Sequence, residues 1–180
     1  MILVVSGKAG AGKNFFSEHV AAIYRKVFGL RVAEIAFADP LKMVCTNIYG
    51  WDGTKGEAGR QLLQSVGTDI VQANNKMCWT NCIVEIIKGL ESEFDLFIVT
   101  DARFPHEIDG IKTNFQTVDD VITLRVEGAT TLAGDAAKHP SETALDKYEF
   151  DYIFNNADHD VDTFFFNLVT MIMRMEGYNV

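Results

Sequence analysis

The run Gly7-Lys8-Ala9-Gly10-Ala11-Gly12-Lys13-Asn14, set directly behind the apolar stretch Ile2-Leu3-Val4-Val5, restricts this chain more than any other feature. Glycines at this spacing let successive backbone N–H groups turn inward around an anion, and a lysine at the start of a helix adds a point charge on it. A nucleoside triphosphate such as ATP is the natural guest. The context fits: a β-prone run precedes the loop, Phe16, Val20, Ile23 and Val27 follow at helical spacing, and Gly29 supplies a stop. The plainer alternative, a glycine-rich turn joining strand to helix, explains the lysine less well. Asn14 stands where a Ser or Thr hydroxyl normally coordinates Mg²⁺. Its amide oxygen is the expected substitute, held directly or through water, because Ser17 lies a full turn further on and is expected to be poorly placed.

At 180 residues, 48% hydrophobic and 23% charged, the chain suits one compact domain with a sizeable core. A net charge of −9 argues against coating nucleic acid, and an acidic protein that handles phosphates must gather its few cations in one cleft. No signal peptide and no bilayer-spanning run are expected, so the protein is expected in the cytoplasm. Three cysteines make no disulfide framework, and Cys78 and Cys82, spaced i, i+4, read as buried small residues ahead of a metal pair.

Further along, Val32 to Ala38 is a strand candidate, and Asp39-Pro40 starts a helix with Asp39 as expected N-cap. Trp51 to Glu57 is a loop, and helical runs around Leu62 to Ile70 and Trp79 to Leu90 complete a helical insertion. Asp95 to Asp101, almost wholly apolar until its end, has the pattern of a strand buried on both faces of a parallel sheet. Phe104-Pro105 opens a helix and Val121 to Val126 is a fourth strand. Glu127 to His139, small and polar with little periodicity, suits a lid. Tyr152 to Phe154 is a last short strand, and Val161 to Met175 a closing helix with apolar residues at 161, 165, 168 and 172. Strands alternating with helices define an α/β fold, a three-layer α/β/α domain with a mostly parallel sheet. Gly7, Asp39, Asp101 and Glu127 follow strands, where such sheets bind ligands.

Phosphoryl transfer needs charge neutralisation and in-line positioning, which selects arginines and a metal-holding carboxylate. Asp101 closes a hydrophobic strand as a metal-binding acid would, with a helix N-cap as its plainer role. Arg60 and Arg103 carry planar guanidinium groups able to grip a monophosphate through paired hydrogen bonds, unless they are solvated surface charges.

The strings GKAGAGKN, FADPLK (Phe37 to Lys42), GRQLLQSVGTD (Gly59 to Asp69), VTDARFPHE (Val99 to Glu107) and HPSE (His139 to Glu142), with Trp79 and Asn155 between or beyond them, resemble the bacteriophage-type deoxynucleoside monophosphate kinases. The resemblance implies an adenylate-kinase-like P-loop fold as a single kinase domain over 1–180. A helical monophosphate-binding insertion spans about 40–92 and a lid about 127–142. It implies transfer of the γ-phosphoryl of ATP, with Mg²⁺, to a deoxynucleoside 5′-monophosphate in DNA precursor synthesis. Carried onto this sequence, residues 7–14 cradle the ATP phosphates and Lys13 bridges the transferring groups. Asp39, Lys42, Arg60 and Arg103 face the monophosphate, Asn14 and Asp101 hold the metal, and Arg125 and Lys138 close over ATP. Gln72 departs from the pattern where an arginine is expected, as does His106, where an asparagine is frequent. The expected partner is a small-molecule substrate, without nucleic acid or membrane, and a homodimer is compatible with the family. A phage protein would work in the host cytoplasm. The alternatives are a non-catalytic P-loop nucleotide-binding module, or a P-loop kinase for another small phosphorylated acceptor.

Overall fold

Apolar residues on both sides of each central strand require cover on both faces of the sheet, and the chain supplies it. A computed structural model describes residues 1–54, 56–115, 121–130, 133–156 and 160–179. Strands β1 (Ile2–Ser6), β2 (Val32–Ala36), β3 (Leu96–Ala102), β4 (Val121–Glu127) and β5 (Tyr152–Asn155) form one sheet in the order β2-β3-β1-β4-β5. Every pairing is parallel, so all the strands end at one edge.

Alternation along β1 sends Leu3 and Val5 to one face and Ile2 and Val4 to the other. The first face is covered by α1 (Lys13–Lys26) through Phe16, Val20 and Tyr24, and by α7 (Val161–Met175) through Phe164, Leu168 and Ile172. The second is covered by α4 (Cys78–Leu90) through Ile83, Val84 and Ile87, and by α5 (Pro105–Asn114) through Ile108 and Ile111. Helices α2 (Ala38–Tyr49) and α3 (Glu57–Gln64), with a π-helical continuation over Ser65–Gln72, lie with α4 between β2 and β3 and form a helical wall beside the strand ends. After β4 come a 3₁₀ turn (Gly134–Lys138) and the short α6 (Pro140–Thr143). The loop reading at Lys55 and part of the lid, residues 131–132, fall outside the described residues.

Three local expectations need correction. Asp39 is not an N-cap: α2 opens at Ala38, and the Asp39 carboxylate accepts the Ala36 N–H at 2.9 Å from inside the first turn. Val27 is 71% exposed because α1 has already ended, and Tyr24 fills the place in the core. On α7 the buried stripe is 164, 168, 171 and 172, while Val161 is 61% exposed in the first turn. The π-helical stretch has no sequence signal, since helical spacing alone does not distinguish a wider turn from an α-turn.

Leu168 has no solvent exposure in the α1/α7 layer. Leu168→Ala is expected to cost about 2–5 kcal/mol in denaturant unfolding. A loss under about 1 kcal/mol would show that α7 does not close this core.

Candidate functional site

The phosphate loop is held open by its supports. Gly7 (φ 153°) lies so close to β4 that a Cβ there would sit 2.5 Å from the Val126 carbonyl, and Gly12 (φ 91°) leaves no room for one against the Asn156 amide. Asn156 in turn donates to the Ala11 carbonyl at 3.1 Å. Gly12 caps α1 without a side-chain hydrogen bond, and no acidic residue occupies the first turn. The helix N-terminus therefore keeps its amide donors and partial positive charge for an external anion.

Lys13 enters this cradle from below. Its side chain is only 7% exposed, with Nζ 3.5 Å from Asp101 Oδ1 and 3.1 Å from the Lys8 carbonyl. Burial, then the neighbouring Arg103 charge, pulls the Lys13 ammonium pKa below its ordinary value, against the opposing pull of Asp101 and Glu142. An arriving phosphate would restore the balance. Asp101, at the end of β3, is the one non-glycine residue with positive φ (63°) among those described. Such a backbone is costly and points to a demand on where the side chain lies. Its Oδ1 is also 3.7 Å from Arg103 Nη2, so a lysine and an arginine converge on one carboxylate.

These groups open into a cleft of about 780 Å³ between the strand ends and the helical wall. Ala9, Gly10, Gly12, Lys13, Asn14, Asp39, Lys42, Arg60, Asp101 and Arg103 all line it. Arg60 comes from α3 on the opposite wall and makes no ion pair with a described residue. Lys42 is paired with Asp39 at 2.8 Å. The remaining predicted residues lie elsewhere. Ala11 is buried beneath the loop, and Gly7, Lys8 and Arg125 border a small recess behind it. Arg125 donates to the Leu145 carbonyl at 2.7 Å and pairs with Asp146 at 2.8 Å, bracing the chain after α6 and not facing the cleft. Lys138 ends the 3₁₀ turn outside the lining.

Several residues line or brace the site through contacts that sequence spacing does not reveal. Ser17 lines the cleft after all, with its hydroxyl buried and without a hydrogen-bond partner among the described residues. Trp79 donates from Nε1 to the Gly67 carbonyl at 3.1 Å and pins the π-helical segment against α4. Through that segment Gln72 reaches Glu107 at 3.3 Å. Glu107 also accepts the Arg103 and Phe104 N–H groups at 2.7 and 3.0 Å, and is only 4% exposed. It sets the chain direction at Arg103. Among the described residues no three His, Cys, Asp or Glu side chains cluster as a metal site, and Cys78 and Cys82 are free thiols. No helix among them is long and apolar enough to cross a membrane.

A parallel sheet in this order, with a glycine loop between β1 and α1 that opens into a cleft at the strand ends, defines a P-loop kinase fold. Two solved structures share it: thymidylate kinase from Ehrlichia chaffeensis (TM-score 0.52, 16% identity, 98% of each chain) and Chaetomium thermophilum Kti12 in complex with ADP-AlF3 (TM-score 0.55, 13% identity, 98% of this chain and 100% of that one). The chain belongs to the deoxynucleotide monophosphate kinase family, whose model matches residues 45–165. Over 99 residues it is 29% identical to the deoxynucleotide monophosphate kinase of Escherichia phage RB69, a match covering 54% of this chain and 38% of that protein.

Burial raises the Glu107 carboxyl from its ordinary 4.5 to about 7 against the pull of its hydrogen bonds. The folded state then holds a proton that the unfolded chain releases, so stability should fall as pH rises from about 4.5 to about 7 and level off above that, by about 3 kcal/mol in total. Glu107→Gln should flatten this slope in denaturation measured at pH 5, 6, 7 and 8. An unchanged slope would mean that Glu107 is ionised throughout.

Proposed function

We propose that this protein transfers the γ-phosphoryl group of ATP to a deoxynucleoside 5′-monophosphate, giving the diphosphate, as a step in supplying DNA precursors. One observation carries this reading. Lys13 and Arg103 converge on Asp101 at one end of a cleft whose opposite wall presents Arg60, which makes no ion pair with a described residue. Two phosphate-handling centres facing each other are what a reaction between two nucleotides requires. Membership of the deoxynucleotide monophosphate kinase family supports the acceptor class.

In this mechanism the loop amides and the α1 N-terminus bind the β-phosphate of ATP, and Lys13 lies between the β- and γ-phosphates. Arg60 and Arg103 hold the acceptor phosphate in line and share the charge that develops on the transferred group. No side chain acts as nucleophile: an acceptor phosphate oxygen attacks the γ-phosphorus, and the bond to the β,γ-bridging oxygen breaks to leave ADP. Oxygen donors suit Mg²⁺, which needs few protein ligands beside phosphate and water. Asp101 and Asn14 line the cleft as such donors, and the buried Ser17 hydroxyl is a third oxygen, without a hydrogen-bond partner among the described residues. Asn14 and Asp101 would hold the ion, which when bound neutralises triphosphate charge. Water must be excluded from the cleft once both nucleotides are bound, so ATP hydrolysis without acceptor should be slow.

A coupled ADP-release assay with ATP and Mg²⁺ against the deoxy- and ribonucleoside monophosphates tests this directly. Acceptor-dependent ADP formation with at least one deoxynucleotide is expected, and ATP binding without it would contradict the reading. Lys13→Ala should lower kcat by about a hundredfold or more while circular dichroism stays unchanged. Arg60→Ala should act mainly on the acceptor KM, and unchanged acceptor kinetics would mean that the exposed Arg60 is only a solvated surface charge.

A further inference from the structure

The string His139-Pro140-Ser141-Glu142 ends in a carboxylate to which the mechanism gives no role. Its local structure is well determined by its residues. Pro140 opens α6, and His139 Nδ1 accepts the Ser141 N–H at 3.2 Å, which turns Glu142 toward the phosphate loop. The Glu142 side chain is only 7% exposed. Its Oε2 accepts the Ala9 N–H at 3.0 Å, and its Oε1 accepts from Arg103 Nη1 at 2.8 Å. Arg103 Nη1 also reaches the Gly7 carbonyl at 3.4 Å.

A carboxylate this buried is stable only while both charge-assisted bonds persist, so it fixes the distance between its two donors. One donor is the ascending limb of the loop that would bind ATP. The other is the arginine that would grip the acceptor. Just beyond α6, Asp146 takes Lys8 at 3.1 Å and Arg125 at 2.8 Å, which fastens the same segment to the loop and to β4. The segment that follows the lid is thereby tied to both halves of the reaction.

We infer that Glu142 is a positioning residue that holds Arg103 in register with the phosphate loop and so sets the alignment of acceptor and donor phosphates. The inference rests on the nucleotide-kinase reading above. A different role for an anion at this place is as a stand-in for phosphate, occupying the Ala9 N–H until ATP displaces it. The two roles predict opposite effects of removing the charge: a positioning residue loses rate, whereas a stand-in releases a competitor and tightens nucleotide binding.

Glu142→Gln keeps the shape and removes the charge. Steady-state kinetics should show kcat lowered about tenfold to a hundredfold, as expected for reacting groups misplaced by about an ångström, with ATP affinity measured by calorimetry changed by less than about threefold. In a double-mutant cycle with Arg103→Lys, the combined variant should lose little more than the worse single one, because both act through one contact. Wild-type kcat, tighter ATP binding or additive losses would overturn the inference. Should Glu142→Gln melt early, Glu142→Asp keeps the charge but shortens its reach, and wild-type kcat in that variant overturns the inference equally. Absence of acceptor-dependent turnover in the unsubstituted protein overturns the kinase reading and this one together. Turnover there with unaffected Glu142 variants overturns this one alone.

Discussion

The buried ammonium of Lys13 is the group on which the rest of the site depends. A lysine so withdrawn from water is stable only with negative charge close by, and Asp101 supplies it at 3.5 Å from the end of the neighbouring strand. That contact requires β1 and β3 to be adjacent and parallel, with the loop after one facing the terminal residue of the other. It also accounts for the positive φ at Asp101, a strained backbone held by the surrounding structure. The parallel β1–β3 pairing and the cleft beside it are what bring these two side chains together.

The helical wall is built by a different logic. Instead of one strand end, three helical segments bring side chains to the cleft: Asp39 and Lys42 from α2, Arg60 from α3, and Gln72 from the π-helical turn. Trp79 anchors the turn through its indole N–H, and Glu107 takes up both Gln72 and the backbone at Arg103. Burial raises the Glu107 pKa, and the hydrogen bond from Gln72, an amide where an arginine is expected, only partly opposes that rise.

Much of this was legible in the sequence. The glycine loop behind a β-prone run, the apolar strand ending in Asp101 and the proline-opened α5 each carry a local pattern with a local cause, and each element formed where its pattern lies. What sequence reading missed depends on contacts between distant residues. Arg125 looked available for ATP, but Asp146, 21 positions away, holds it behind the loop. Ser17 looked one turn too far along, yet the wall of the cleft extends down α1 to include it. Glu142 stood in a recognisable string, but its role needs Ala9, 133 positions back in sequence, and Arg103, 39 back. Spacing along the chain does not encode such pairings.

In the proposed reaction one cleft holds donor and acceptor phosphates at once, with Lys13 and Arg103 beside Asp101 at one end and Arg60 across from them. Calorimetric titration with a bisubstrate analogue, adenosine joined through five phosphates to a deoxynucleoside, measures this most directly. The account predicts binding at least about a hundredfold tighter than ATP alone, with most of the gain lost in Arg60→Ala, because the second nucleotide then binds at high effective concentration. An analogue that binds no more tightly than ATP would contradict it.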